Sequence, residues 1–254
     1  MIFVWGRRVI RKKVGYVADF CPMCREPQAF LMNQLSTYRH LYFIPVSAKE
    51  SLGYERICQG CKLALKGAPV HYVATPKKPT SVQEIVSRSF PKLPEVYADR
   101  LRIEEQVKKA PALIPKDLRY ALIKQPFVVV SPLVESRYKR TSIDWVSILV
   151  LVGALGAVCL TPVVADAVAP DNEGLVFGVI AVLALCTIVG AFATEPRRYI
   201  KRSIIPRIAK TLCPLQPSES EITAALAELK RSGHKIGAKL RSPHLLRALA
   251  AGRG

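Results

Sequence analysis

The chain has 254 residues, half of them hydrophobic, and its 38 Lys+Arg against 19 Asp+Glu give a net charge of +19. Such totals admit one large soluble domain or small modules joined to a membrane segment, and the charge distribution favours the second. Up to Ser142 there are 25 basic residues against 11 acidic, from Ile143 to Glu195 none against 5, and from Pro196 onward 13 against 3, so the whole positive excess lies outside an apolar middle.

The opening Met1-Ile2-Phe3-Val4-Trp5 is too short for the apolar segment of a signal peptide, and Gly6-Arg7-Arg8 interrupts it. No long apolar run follows the twin arginines, which removes a secretion signal of that kind, so targeting falls to internal helices. Residues 1–75 alternate short β-rich runs with turn signals: 2–5 and 9–10 read as strands, 38–46 as a strand ended by Pro45, and 54–57 as another.

Between and after these runs stand two Cys-x-x-Cys pairs, Cys21-Pro22-Met23-Cys24 and Cys58-Gln59-Gly60-Cys61, separated by 33 residues. Each pair predicts a tight turn that points two sulfurs at one centre, and the β-run between them brings the chain back to complete a tetrahedron. Cys21, Cys24, Cys58 and Cys61 are therefore the expected ligands of a closed, structural Zn2+ site, one that would supply much of the folding free energy of a module with little core. Alternatives are a redox dithiol, an iron–sulfur cluster or unrelated buried thiols. A redox pair normally stands alone beside a βαβ unit, which the pattern lacks. The odd total of seven cysteines and a reducing compartment both speak against disulfides. His40 and His71 are further metal-binding residue types, but four thiolates already complete the shell.

Phe3-Val4-Trp5-Gly6-Arg7-Arg8, the Cys21 pair, Tyr42-Phe43-Ile44-Pro45-Val46 and the Cys58 pair, in this order, resemble the N-terminal zinc-ribbon domain of a family of small, uncharacterised, often membrane-associated proteins. The resemblance covers residues 1–65 and implies zinc, the four cysteines as its ligands and a ribbon close to a membrane; it implies no reaction. The sequence departs from the family after the second cysteine of each pair, where ribbons commonly carry Gly and this chain has Arg25 and Lys62.

Residues 76–142 form a basic, proline-punctuated connector expected to be helical. Ser81 and Glu84 have capping-box spacing at the start of one helix. A second, amphipathic helix fits 94–109, and a third runs from Pro115 to before Pro126. Phe127-Val128-Val129-Val130 is then left as a short strand or a segment in the lipid headgroup region. The connector reads as a solvated spacer or as a surface for anionic lipid.

Residues 143–195 are expected to form a transmembrane hairpin with spans at 143–164 and 175–193, since about 20 apolar residues cross a core of roughly 30 Å and neither run contains Lys or Arg. Arg137, Lys139 and Arg140 precede it, Arg197, Arg198, Lys201, Arg202 and Arg207 follow it, and the linker at 165–174 carries only Asp166, Asp171 and Glu173. The asymmetry places both termini in the cytoplasm, at the inner membrane if the cell is bacterial. Trp145, Tyr138 and Tyr199 suit the interface. Gly153 with Ala157 and Gly174 with Gly178 have the small-residue spacing through which helices approach, in the hairpin or between copies in a homo-oligomer. Cys159 and Cys186 read as small packing residues, and Cys213 as a free thiol or a lipidation position.

Residues 196–254 form a basic tail, with a helix at 218–232 carrying Ile222, Ala225, Leu226 and Leu229 on one stripe and Gly233 at its end, and a shorter helix from Pro243. The fold class read from these parts is an α+β membrane protein: zinc ribbon, helical connector, two-helix hairpin and helical tail. The sequence has no nucleotide loop, no His-Glu metalloprotease pattern and no nucleophile elbow. The expected role is accordingly a non-catalytic one, binding or scaffolding a protein partner on the cytoplasmic face. A membrane-tethered nucleic-acid-binding module is the alternative, carried by basic residues among Trp5, Tyr38, Tyr42 and Tyr54, and a thiol redox protein comes third.

Overall fold

The structure is a computed structural model that describes residues 5–42, 44–139, 143–168 and 172–251. Residues 1–4 of the expected opening strand, Phe43, Arg140 and Asp171 lie outside the described residues, as do the side chains of Trp5, Asp166 and Glu173. The fold is α+β: a five-stranded antiparallel sheet and a set of helices, two of them long and apolar enough to cross a membrane. The chain divides into two compact units, Met1–Leu122 with Pro214–Gln216, and Ile123–Cys213 with Pro217–Gly254.

In the first unit the strands β1 (Trp5–Cys21), β2 (Glu26–Leu41), β4 (Glu50–Cys58) and β5 (Ala64–Gly67) lie side by side in that order, and β3 (Ile44–Pro45) pairs with the end of β2. The expected two-residue strand at 9–10 is part of one strand of 17 residues that begins at Trp5. The basic run Arg11-Lys12-Lys13 does not break it, because β1 is an edge strand, where exposed cations are tolerated, and a bulge between Lys13 and Gly15 absorbs the register change. The expected strand at 38–46 is likewise divided: its start belongs to β2, whose central position only long-range pairing reveals. Antiparallel registers Phe20↔Pro27 and Phe30↔Cys58 fix β2 between β1 and β4.

Helix α1 (Val82–Ser89) begins as expected, with Ser81 accepting the Glu84 N–H at 3.2 Å, but the Glu84 carboxylate turns to Arg88 at 2.9 Å. Its Ile85, with Leu93 of the short helix α2 (Leu93–Val96), packs on Ala18 and Ala29 of the sheet, flanked by Tyr16, Val82, Val86 and Phe90. The continuous helix expected at 94–109 is interrupted before α3 (Ala98–Lys109), because Tyr97 at the junction donates its hydroxyl to Asp19 at 2.9 Å.

Helix α4 (Lys116–Lys139) corrects a second expectation: it runs straight through Pro126 and Pro132, and 127–130 is helical rather than a strand. Each proline removes a ladder hydrogen bond. However, Ile123, Phe127, Val130 and Val134 are fully buried at spacings of 4, 3 and 4, and burial of this stripe outweighs the local loss.

The second unit holds α5 (Trp145–Val168) and α6 (Glu173–Tyr199), both longer than the expected spans. At ~1.5 Å per residue α5 reaches about 36 Å, more than a bilayer core of roughly 30 Å. The two helices pack antiparallel along buried Ser147, Ala154 and Thr161 of α5 and Ala191 and Glu195 of α6. Only 11% of each apolar window is buried in the chain, and Leu155, Leu160, Val182, Leu183 and Leu185 are exposed. A methyl group added at Gly153, Gly156, Gly174, Gly178 or Gly190 would meet no atom within 4 Å, so the small-residue pairs are not what brings α5 and α6 together. At the base, Asp144 accepts both Arg198 Nε and Nη2 at 2.9 Å, and buried Glu195 takes Arg137 of α4 at 2.5 Å.

Helix α6 continues through a π turn, Ile200–Ile204, into α7 (Ile205–Leu212). The remaining helices are α8 (Glu219–Arg231), α9 (Lys235–Lys239) and α10 (Ser242–Ala251). The complete capping box of Ser218 and Glu221 starts α8, and its end is a Schellman turn: Gly233 N–H donates to Lys230 O at 3.1 Å and His234 N–H to Leu229 O at 2.9 Å. Ile222, Ala225, Leu226 and Leu229 are buried as the stripe required, and they are covered from within the unit. Helix α9, absent from the expected elements, lies on α8 so closely that a Cβ at Gly237 would fall 2.4 Å from Lys230 N and 2.6 Å from Leu226 O. α10 packs on α7 and α8. Lys124 and His234 add polar ties, to Glu228 at 2.5 Å and to Glu135 at 3.2 Å.

Gly237→Ala must push α9 off α8, at a cost of roughly 1–3 kcal/mol or more for an overpacked contact. In thermal melts of the purified protein it should lower the midpoint clearly more than Gly156→Ala, whose added methyl meets no atom within 4 Å.

Candidate metal centre

Each Cys-x-x-Cys pair spans the end of a strand and the four-residue turn that follows it, 22–25 in one hairpin and 59–62 in the other. One joins β1 to β2, where Cys21 pairs with Glu26, and the other joins β4 to β5, where Ile57 pairs with Ala64 and the Cys58 N–H donates to Leu63 O at 2.9 Å. Because β2 starts and β4 ends beside each other, through Phe30↔Cys58, both turns emerge at one end of the sheet. A further bond, from Gln59 N–H to Ala29 O at 2.9 Å, pins the second turn against β2.

All four sulfurs consequently lie within 4.8 Å of one another. Cys21 Sγ is 3.6 Å from Cys61 Sγ, and Cys24 Sγ is 3.7 Å from Cys58 Sγ. A disulfide needs about 2.05 Å, so none of these pairs is bonded. A tetrahedron of thiolates around an ion at ~2.3 Å has edges of about 3.8 Å, which the two pairs match. The donor set thus fits a single four-coordinate ion, with Cys21 and Cys58 fully buried and Cys24 and Cys61 half-buried. Bare thiols this close share protons unequally: contact with Cys24 pushes the Cys21 thiol up, while contact with Cys21 pulls Cys58 down and brings Cys61 to about 7. A bound cation removes that conflict by favouring the thiolate at all four.

Arg25 and Lys62 occupy the positions where a ribbon commonly has Gly, and both adopt left-handed backbone, φ 63° and 58°. The turns therefore have the conformation that glycine would give, with Arg25 N–H donating to Cys21 O at 2.7 Å and Lys62 N–H to Cys58 O at 3.0 Å. For Arg25 the side chain explains the residue. It is buried and its Nε lies 2.6 Å from Glu104 of α3, whose other oxygen takes Arg100 at 2.8 Å. Lys62 is exposed and carries no such burden.

Two residues before Cys21, buried Asp19 gathers a second set of contacts. It accepts from Tyr72 at 2.7 Å, Tyr97 at 2.9 Å and its neighbour's N–H, and pairs with Arg56 of β4. Burial pushes the Tyr72 phenol up, so it remains the donor in this set at neutral pH. Arg56 also lies over Phe30 and Arg100 over Phe20. None of Asp19, Arg25, Arg56, Tyr72, Tyr97 and Glu104 was marked by the sequence, apart from the unusual Arg25 in a glycine position.

The remaining candidates lie elsewhere. His40 is at the opposite end of β2, paired with Gly6, and His71 is exposed in a 3-10 turn at Pro69–His71; among the described residues the metal-ligating cluster is the four cysteines. Cys159 and Cys186 are exposed on the apolar helices. No protein-family model, no curated protein and no solved structure matches the chain.

Arg25 and Lys62 separate backbone strain from side-chain work. Lys62→Gly relieves the left-handed conformation and should change stability by less than about 1 kcal/mol. Arg25→Gly relieves the same strain but leaves Glu104 buried beside one cation fewer, a loss of about 3 kcal/mol for a broken buried pair. Thermal melting of the metal-loaded protein followed by circular dichroism ranks the two.

Proposed function

We propose that the chain is a membrane-anchored zinc protein of the zinc-ribbon kind, whose sheet domain is closed by a structural Zn2+ and binds another protein at the cytoplasmic face rather than catalysing a reaction. The observation that carries the reading is the cage of four sulfurs. Its donors are all thiolates, which suits zinc, and it is closed, with no open position at which a substrate would enter. Sulfurs within 4.8 Å of each other leave room for one ion and not for a multi-iron cluster. A redox role would need an accessible thiol of its own, which a four-thiolate site withholds.

The anchor is read from two helices that are apolar on every side and uncovered by the chain, so that lipid is the covering their surfaces require. Basic residues border both helices at one end, and this asymmetry supports a cytoplasmic location for both termini, at the inner membrane if the cell is bacterial. A second reading, nucleic-acid binding, draws on Arg7, Arg8, Lys12, Lys13 and Arg39, all exposed on the paired strands β1 and β2.

Metal analysis of the protein purified without added metal should give one zinc per chain, lost in a Cys21→Ser, Cys58→Ser double variant; iron, or no metal, overturns the zinc site. In oriented vesicles, protease should reach both termini from the cytoplasmic side only, and a sheet domain cut from the opposite side overturns the topology. Binding of the full chain to RNA or DNA that falls steeply with salt would favour the second reading over the first.

A further inference from the structure

Within the second unit, the rod of α6 and α7 and the pair α9 and α10 border a half-open cavity of about 400 Å³, in the range of small-ligand sites. It sits at the end of the apolar run, beginning one residue after Ala193. Arg197 and Lys201 enter it from α6 and the π turn, and Lys239, Arg241 and His244 from α9 and the start of α10. No acidic residue lines it. Among the described residues none of these five forms an ion pair; Lys239 lies over the Tyr138 ring at 5.8 Å, which leaves its charge unneutralised. Arg198, also at the wall, is already committed to Asp144 and holds α6 to the base of α5.

Like charges do not converge on a concavity without cost, and each free cation would gain by turning to bulk water. Here the backbone holds them together. The π turn, a helix defect that recurs at functional sites, sets Lys201 at the wall, and the positive end of the 10-residue helix α10 adds to the same field. Buried Ile200, Ile205 and Leu240 give the cavity an apolar side that meets the uncovered surface of α6. A basic cavity with an apolar flank at the end of a membrane-spanning helix matches one ligand chemistry: a phosphate ester anion with a hydrocarbon attached.

We propose that this cavity binds the phosphodiester of an anionic phospholipid headgroup, with Arg197, Lys201, Lys239 and Arg241 around the phosphate and the acyl chains along α6. The inference rests on the membrane reading above, but not on the metal. Bound lipid would tie the tail helices to the membrane surface, where free charge alone would only hover.

The full-length protein in nanodiscs supplies the test, with Lys239→Gln/Arg241→Gln as the variant, because these residues lie outside the flanks that set topology. Lys230→Gln/Arg231→Gln, exposed on α8 and outside the cavity lining, removes the same charge as a control. Binding of phosphatidylglycerol, measured against phosphatidylcholine by native mass spectrometry and by thermal shift, should fall about 30-fold in the cavity variant, the equivalent of ~1 kcal/mol per cation at an anionic surface. The control pair should lose about threefold or less, and Lys239→Arg/Arg241→Lys should keep binding. Equal losses in cavity and control variants overturn the site. Glycerol phosphate or inorganic phosphate binding as tightly as the lipid overturns the lipid as its source. Alkaline carbonate extraction keeps the two readings apart: a protein released from membranes refutes the anchor itself, whereas one that stays embedded but binds lipid independently of Lys239 and Arg241 refutes only this inference.

Discussion

The register of β2 is the constraint on which the first unit depends. Held to β1 by Phe20↔Pro27 and to β4 by Phe30↔Cys58, it makes both Cys-x-x-Cys turns leave the sheet at the same end. A slip of one residue would turn every side chain to the opposite face and carry the second turn away from the first. The sulfur cage is thus a property of strand pairing before it is a property of cysteine spacing. An ion held there reinforces the same register, since it crosslinks two turns 33 residues apart in sequence.

Around that register the unit is held by buried charge as much as by apolar contact. Ile85 and Leu93 cover only a small patch of the sheet. Asp19 then draws in Arg56, Tyr72 and Tyr97, and Glu104 draws in Arg25 and Arg100, so that the segment at Tyr72, the junction before α3 and α3 itself are each tied by a directed bond to the sheet or to its first cysteine turn. Such groups are costly to bury unless fully partnered, and they fix one arrangement of the helices over others. Arg25 belongs to both systems: its backbone closes the first cysteine turn and its side chain reaches α3.

The second unit follows a different logic. Among the described residues the ion pairs of its apolar hairpin stand at the base, where Asp144 meets Arg198 and Glu195 meets Arg137, and above them the surfaces are left bare. The glycines of the hairpin face outward into open space. Below it the tail helices pack against one another through α8, with Gly237 permitting the closest approach, and the cations that the apolar run excludes collect around one cavity.

What the sequence determined by itself was whatever depends on composition or local period. Two apolar runs without Lys or Arg, their basic borders, the four cysteines, the buried face of α8 and the cap at Ser81 could all be read from spacing, because each is decided within a few turns of chain. Tertiary structure decided the rest. β1 extends across three consecutive cations because it is an edge strand, and β2 becomes central through partners on two other strands, up to 36 residues away in sequence. α4 passes two prolines because its buried stripe outweighs two lost hydrogen bonds. Arg25 stands at a position where glycine is the local preference because Glu104, 79 residues on, receives its side chain. In each case a long-range contact outweighs a local preference worth only a kcal/mol or so per residue, and a local pattern carries no record of such a contact.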